Sequence, residues 1–287
     1  MIITILNNVG FCNGVEKSLE IVENNFDISK EIYLLGMLVH NESVNNEIKK
    51  AGIKIISPDE LKLFDKNNPY NKLIITTAHG TNENVINYIQ KLGIKIIDTT
   101  CPIVKKNNDL IKRYYQDGFE IIYIGIKKHP ESESVKQFIH IVETKADIDS
   151  LNITNNRIVV ISQTTMTEDN INNLLNNILE KYPSALNVTS ICPFVKARQD
   201  EVKNIVNQNH SSLDYYLVLG SKLSNNTKKL VEIIKKYTNN VYQISSLDDL
   251  YSLNLKTRYH IYITSGTSTP QKFVREVKDF LEKNYKK

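Results

Sequence analysis

Short β-branched and aliphatic runs alternate with stretches of helical period along the whole chain, and glycine or proline punctuates many of the joints. Residues 2–6 read as a strand, and Val15, Leu19 and Val22 then fall at helical spacing. Residues 32–35 predict a second strand, followed by a helix capped by Asn41 and closed by Gly52, then a short strand at 54–56. A strand at 73–77 leads to a helix capped by Thr81 or Asn82 that runs through Leu92, with Gly93 as its stop and a strand at 94–97 behind it. The middle of the chain repeats the plan. A helix from Ile103 towards Tyr115 stops at Gly118, a strand spans 120–124, and Ser132 or Ser134 opens the next helix. Strands at 140–142 and 157–162 follow, and Thr167 with Asn170 resembles a capping pair ahead of a helix at 171–181 ended by Pro183. The last part places a helix after Cys192, a strand at 215–219, a helix, a strand near 241–244, a strand at 259–264 and a closing amphipathic helix.

Strands alternating with helices imply parallel sheets, and such sheets bind ligands beyond the carboxyl ends of their strands, where helix N-termini also point. Three places of that kind carry the only cysteines: Gly10-Phe11-Cys12-Asn13-Gly14, Thr99-Thr100-Cys101-Pro102 and Ser190-Ile191-Cys192-Pro193. They are spaced 89 and 91 residues apart, and the second and third share a Cys-Pro-(Ile/Phe)-Val-Lys frame. One thiol per third of the chain predicts three similar α/β units with mainly parallel sheets: 1–100 carrying Cys12, with its first strand free to pack elsewhere, 101–191 carrying Cys101, and 192–287 carrying Cys192. A helix N-terminus favours the thiolate, the form that binds metal, and proline after Cys101 and Cys192 suits a first helical turn. The alternative is that these are buried free cysteines acting as small hydrophobes. No pair has the Cys-x-x-Cys spacing of a zinc ribbon or a thioredoxin-type site.

Composition narrows the class. Lys and Arg exceed Asp and Glu by only four, too few to imply nucleic acid as a partner. Three cysteines without close pairs fit a reducing cytoplasm, the N-terminus lacks the basic flank of a signal peptide, and no apolar run approaches the ~18 residues that span a bilayer. The expectation is a soluble cytoplasmic protein with no membrane partner.

Polar clusters gather at the strand ends. His40, His79, His129, Glu131, Thr164, Ser224, Asn226 and Ser268 all follow strands, whereas His140, His210 and His260 read as structural or surface residues. Each of the first three histidines has a local hydrogen-bonding role as its alternative, and Ser224-Asn225-Asn226 and Ser268-Thr269-Pro270 are good helix caps in any case. Three histidines in equivalent topological places, with hydroxyls and without arginine, suit an anion that must later be released. Neither the Walker pattern nor the dinucleotide-binding glycine pattern is present. Glu131, two residues after His129, is the candidate general acid.

Taken in order, Gly10-Phe11-Cys12, Val39-His40-Asn41, Ala78-His79-Gly80, Asp98-Thr99-Thr100-Cys101-Pro102, His129-Pro130-Glu131, Gln163-Thr164-Thr165, Ile191-Cys192, Arg198-Gln199, Gly220-Ser221-Lys222, Ser224 to Asn226 and Gly266 to Pro270 resemble the LytB family, the 4-hydroxy-3-methylbut-2-enyl diphosphate reductases of the non-mevalonate isoprenoid pathway. The resemblance covers nearly the whole chain. It implies a pseudo-threefold arrangement of the three units around a central 4Fe–4S cluster held by Cys12, Cys101 and Cys192, with one iron lacking a protein ligand. It implies a two-electron, two-proton reductive dehydroxylation of an allylic diphosphate to isopentenyl and dimethylallyl diphosphates, fed by a ferredoxin- or flavodoxin-like donor. His40, His79, Ser224, Asn225, Asn226 and Ser268 then hold the diphosphate, Thr164 and Glu131 lie on the hydroxyl side, Glu131 supplies the proton, and His129 serves the proton relay or the diphosphate. Thr165 is a weaker candidate.

The chain departs from the family pattern at Val195, where a threonine is common, at Asn225, where a serine is common, and at Ser132, where valine is common. None of these removes a cysteine or Glu131. The rival readings are a cluster-bearing sensor of iron or oxygen, which has no need of Glu131 or the diphosphate set, and a zinc hydrolase with Cys and His ligands.

Overall fold

A computed structural model describes residues 2–64, 68–208, 214–253, 255 and 260–285. His210 and Tyr259, the expected first residue of the last strand, lie outside the described residues. In chain order the elements are β1 (Ile2–Ile5), α1 (Asn13–Asn24), β2 (Glu31–Leu35), α2 (Glu42–Lys50), β3 (Lys54–Ile56), α3 (Pro58–Leu61), β4 (Lys72–Ile75), α4 (Glu83–Lys91), β5 (Lys95–Ile97) and α5 (Pro102–Gln116). They continue with β6 (Glu120–Ile124), α6 (Pro130–Ser134), β7 (His140–Val142), α7 (Lys145–Ser150), β8 (Ile158–Ser162), α8 (Glu168–Lys181), β9 (Leu186–Asn187) and α9 (Pro193–Gln208). The last elements are β10 (Tyr215–Leu219), α10 (Asn225–Lys235), β11 (Val241–Ile244), α11 (Asp248–Tyr251), β12 (His260–Ser265) and α12 (Gln271–Tyr285).

The caps explain where several helices begin. Asn82 accepts from the Asn84 N–H ahead of α4, Thr167 from Asn170 ahead of α8, and Ser224 from Thr227 ahead of α10, each satisfying a donor the helix leaves unpaired. Ser57 with Glu60 and Thr144 with Asp147 form reciprocal capping boxes that start α3 and α7, two short helices the hydrophobic pattern does not reveal. One start differs from expectation. Neither Ser132 nor Ser134 opens α6; both lie inside it, and the cap is the His129 imidazole, whose Nδ1 accepts from the Glu131 N–H at 3.2 Å.

Among the described residues three four-stranded sheets result, every pairing parallel. Their orders are β3-β2-β4-β5, β7-β6-β8-β9 and β11-β10-β12-β1, the same arrangement three times. In each, the fourth strand is the one that leads to a cysteine: β5 to Cys101, β9 to Cys192 and β1 to Cys12. The first strand of the chain therefore completes the last sheet, with Ile2 opposite His260 and Ile5 opposite Ile263.

The chain forms two compact units. One comprises Met1–Val15, His40–Val44 and Pro193–Lys287; the other comprises Glu16–Val39 and Asn45–Cys192. Within each, central strands are covered on both faces, as parallel sheets require. In the first unit Tyr216 and Val218 of β10 pack with Val202, Leu230 and Ile234, while Leu217 and Leu219 pack with Val274, Val277 and Leu281. In the second, Ile122 and Ile124 of β6 join Val160, Ile171 and Ile178, while Ile121 and Tyr123 join Ile111, Val135 and Ile161. This period-two division is why β6 and β10 read as unbroken apolar runs. Each such side chain, fully buried, contributes roughly 1.5–3 kcal/mol. Among the described residues no helix is long and apolar enough to cross a membrane.

Candidate active site

The residues singled out in the sequence lie in loops beyond the strands' carboxyl ends and are divided between the two units. In the unit containing Pro193–Lys287 these are Cys12, His40, Ser224, Asn225, Asn226 and Ser268; in the other they are His79, Cys101, His129, Glu131, Thr164 and Cys192.

Cys12, Cys101 and Cys192 take part in no disulfide, and each stands directly before the first residue of a helix, α1, α5 and α9 respectively. Cys101 is the N-cap of α5, with Pro102 supplying the preset φ of the first turn. Each cysteine amide donates to a carbonyl just past a strand end. Cys12 bonds Thr267 O at 3.1 Å, Cys101 bonds Ala78 O at 3.0 Å and Cys192 bonds Thr164 O at 2.9 Å. Among the described residues no three His, Cys, Asp or Glu side chains are gathered to hold a single metal ion.

Around β10 and β12, Ser268 Oγ donates to His40 O at 3.2 Å while Asn41 Nδ2 donates to Ser268 O at 2.8 Å, so the two segments brace one another. Asn41 also caps α2 through the Val44 N–H at 3.2 Å. Burial, and then the positive charge of Lys228, push His40 below the ordinary imidazole range. His40 is therefore neutral near pH 7, and a bound anion would raise its proton affinity. Ser224, Asn225, Asn226 and Ser268 are all buried. Among the described residues neither amide atom of Asn226 has a hydrogen-bond partner, although the residue is only 3% exposed. The loops after β10 and β12 need glycine, because a Cβ at Gly220, where φ is +142°, or at Gly266 would run into the Thr227 hydroxyl.

The second unit is built around Glu131. It is 1% exposed, and its two oxygens meet three donors: Thr164 N–H at 2.8 Å, Thr164 Oγ1 at 3.0 Å and Tyr123 Oη at 3.3 Å. Burial raises its pKa from 4.5 to about 7, and these donors, which favour the charged form, only partly offset that rise. Thr164 then connects Glu131 to the third thiol loop, since its carbonyl takes the Cys192 amide. His129 caps the helix that carries Glu131, which uses Nδ1 as acceptor and leaves Nε2 to carry the proton. The His79 and His129 rings meet edge to face with centroids 5.7 Å apart. Thr165 accepts from Gln163 Nε2 at 2.9 Å, a local turn contact.

Sequence reasoning missed two contributors. Tyr123 stands out only as the aromatic residue in the aliphatic run Ile121-Ile122-Tyr123-Ile124. Arg198 stands in the sequence as part of a motif with no role of its own; it donates to Ser265 O at 2.8 Å and to Gly10 O at 2.7 Å, tying the Cys12 loop to the end of β12.

Comparison with known proteins places this architecture. A family model described as LytB protein matches residues 3–282. A relative from Anoxybacillus flavithermus is 32% identical over 282 residues, covering 95% of this chain and 88% of its own length. One from Listeria monocytogenes is 35% identical over 282 residues, covering 95% of this chain and 83% of its own length. Both carry the name 4-hydroxy-3-methylbut-2-enyl diphosphate reductase. The solved E-1-hydroxy-2-methyl-but-2-enyl-4-diphosphate reductase from Plasmodium falciparum superposes with a TM-score of 0.83 at 27% identity, over 98% of this chain and 88% of that one. A second solved structure, described as the terminal enzyme of the non-mevalonate pathway, shares the fold with a TM-score of 0.66 at 24% identity over 99% of this chain and the whole of that one.

Proposed function

Because this chain belongs to the LytB family, we propose that it catalyses the reductive dehydroxylation of 4-hydroxy-3-methylbut-2-enyl diphosphate with Cys12, Cys101 and Cys192 as the ligands of its iron–sulfur cluster. In this reaction the allylic C–O bond breaks, two electrons and two protons are taken up, and water leaves as isopentenyl or dimethylallyl diphosphate forms. The observation that carries the assignment of roles is Glu131, a buried carboxyl with a pKa of about 7 and three donors already in place for its charged form.

The donor set fits an iron–sulfur group. The chain has three cysteines and none is in a disulfide, each standing at the start of a helix. Three thiolates suit a 4Fe–4S cluster with one iron free of protein sulfur. When bound, such a group supplies electrons one at a time and draws on the substrate hydroxyl as a Lewis acid.

The protein's residues do the rest. His40, His79, Ser224, Asn225, Asn226 and Ser268 bind the diphosphate, with the Asn226 amide gaining there the partner it lacks among the described residues. A neutral His40 takes up a proton as the anion arrives. Glu131, about half protonated near pH 7, passes its proton to the departing hydroxyl. The resulting carboxylate is received by the Thr164 N–H, the Thr164 hydroxyl and the Tyr123 hydroxyl without reorganisation. His129, with its proton on Nε2, serves the relay or the diphosphate. The electrons come from a ferredoxin- or flavodoxin-like donor, and three cysteines without a disulfide suit a reducing cytoplasm.

The test is anaerobic turnover of the reconstituted protein with reduced viologen and the hydroxylated allylic diphosphate. Two electrons consumed per C5 product formed is the expected result. An iron-containing protein that consumes no electrons would overturn the reading in favour of a sensor, and bound zinc without visible absorbance would favour a hydrolase.

A further inference from the structure

We propose that three strand-end hydroxyls, those of Thr76, Ser162 and Ser265, are positioning residues for the three cysteines, each holding the chain two residues ahead of its thiol. The inference rests on the reading of those cysteines as cluster ligands. It comes from a hydrogen-bond pattern that occurs three times with identical spacing. The Thr99 N–H donates to Thr76 Oγ1 at 3.1 Å, the Ser190 N–H to Ser162 Oγ at 3.1 Å, and the Gly10 N–H to Ser265 Oγ at 2.8 Å. Two residues further along both segments a second bond closes the brace: Cys101 to Ala78 O, Cys192 to Thr164 O and Cys12 to Thr267 O. Each thiol-bearing loop is thus pinned at two points to the loop that follows its neighbouring strand.

Strand pairing alone does not produce this at all three places. Carried past the last paired residues, the register sets Thr76 opposite Asp98 and Ser162 opposite Thr189, one residue short of the braced N–H, but sets Ser265 opposite Asn7, three residues short of Gly10. The brace nevertheless recurs at the same distance from each cysteine. It is also closed in the reverse direction by three different devices. Thr99 Oγ1 donates to Thr76 O at 2.7 Å, Ser162 Oγ donates to Ser190 O at 2.9 Å, and Arg198 bridges Gly10 O and Ser265 O. Different side chains arriving at one geometry mark it as specified. All three hydroxyl residues are buried, Thr76 at 1% exposure and the two serines at 0%, so water cannot replace the bonds.

Fixing the backbone at a cysteine and two residues before it fixes where its Cα–Cβ bond starts and points. A ligand set arranged before its metal arrives loses less freedom on binding and releases the metal more slowly. The Cys12 brace has Arg198 as additional support, so it should be the least sensitive to loss of its hydroxyl.

Iron release from the reconstituted full-length protein to an excess ferrous chelator, with the electron paramagnetic resonance spectrum of the reduced form, tests the proposal. Thr76→Val and Ser162→Ala should release iron about tenfold faster and alter the spectrum, the scale on which outer partners of metal ligands act. Ser265→Ala should do so to a smaller extent. Thr264→Val is the control: it removes a buried hydroxyl from the same strand as Ser265, and that hydroxyl has no partner among the described residues. It should keep the wild-type rate. Thr76→Ser retains the hydroxyl and should retain iron, which also decides the matter if the larger changes do not fold. Wild-type release rates in correctly folded Thr76→Val and Ser162→Ala, or a Thr76→Ser as leaky as Thr76→Val, would overturn the brace alone. A wild-type protein that binds no iron, or a Cys101→Ala that binds as much as wild type, would overturn the cysteine reading and the brace with it.

Discussion

The loops after β6 and β10 are built on one backbone plan but differ in how they treat the polar side chain they bury. Each opens at a glycine whose N–H continues the sheet, Gly125 to Val142 O at 3.1 Å and Gly220 to Ile244 O at 2.8 Å. Four residues on stands the helix cap, His129 in one and Ser224 in the other. The second residue of each helix is a buried polar side chain, Glu131 at 1% exposure and Asn226 at 3%. Glu131 is met by three donors within its own unit, whereas the Asn226 amide meets none among the described residues. A buried group with its partners in place is ready to exchange a proton without moving. A buried amide without them carries an unrecovered desolvation cost, which a ligand relieves. One loop buries a carboxyl with its donors in place, the other an amide without a hydrogen-bond partner among the described residues.

The sharpest way to break this contrast is Glu131→Gln. The amide keeps the shape but delivers no proton, so turnover should fall by about 10²- to 10⁴-fold, the usual scale of general acid catalysis. Iron content and the visible spectrum should be unchanged. Near-normal turnover would remove Glu131 from the mechanism.

The same carboxyl should also govern how stability varies with pH. Its folded pKa, about 7, exceeds its ordinary 4.5, so the stability it contributes is fully present below pH 4.5 and lost as pH rises through 7. Across that window the loss amounts to roughly 3 kcal/mol. Denaturant titrations of the metal-free protein between pH 4.5 and 8 should show this fall, and Glu131→Gln should flatten it. An equal slope in the variant would place the titration elsewhere.

Asn226→Leu tests the other loop, and it is expected to act in two directions at once. Loss of a hydrogen bond to a charged ligand should weaken diphosphate binding by about 10- to 100-fold. Removal of the unpaired amide should leave the empty protein as stable as wild type or about 1 kcal/mol more so. Calorimetric titration with inorganic diphosphate and a thermal melt without ligand measure the two. Weaker binding with lower stability would mean that the amide already serves the fold.

Much of this was legible in the sequence, and what was not has a physical reason. The cysteines, histidines, Glu131 and Asn226 could be placed after strands because hydrophobic runs mark strand ends and proline and capping residues mark helix starts. The start of α6 was misplaced because an imidazole cap resembles a free histidine in sequence, while Ser132 and Ser134 look like caps and lie inside the helix. The β1–β12 pairing joins residues some 258 positions apart, and no local pattern records which sheet a strand completes. Thr76, Ser162 and Ser265 were invisible for a related reason. A hydroxyl residue at a strand end is a common feature, and only the fold shows all three facing the chain that enters a cysteine. Tyr123 read as one more core position, and its hydroxyl acquires meaning only from the carboxylate it reaches.

That hydroxyl offers the smallest and most discriminating test of the prepared acid. Its contact with Glu131 is the longest of the three at 3.3 Å, and burial, followed by the nearby carboxylate, pushes the phenol well above its ordinary range, so it stays protonated. As a donor to the charged carboxylate it lowers the Glu131 pKa. Tyr123→Phe should therefore raise that pKa and move the alkaline limb of the pH–rate profile upward, by about half a unit for one weak neutral donor. Near pH 7 the rate should change less than about threefold, since the two Thr164 donors remain. The sign of the shift carries the information. If the phenol instead accepts a proton from the neutral acid, its loss moves the limb downward, and Glu131 would be held ready in its protonated state rather than in the state it reaches after giving the proton away.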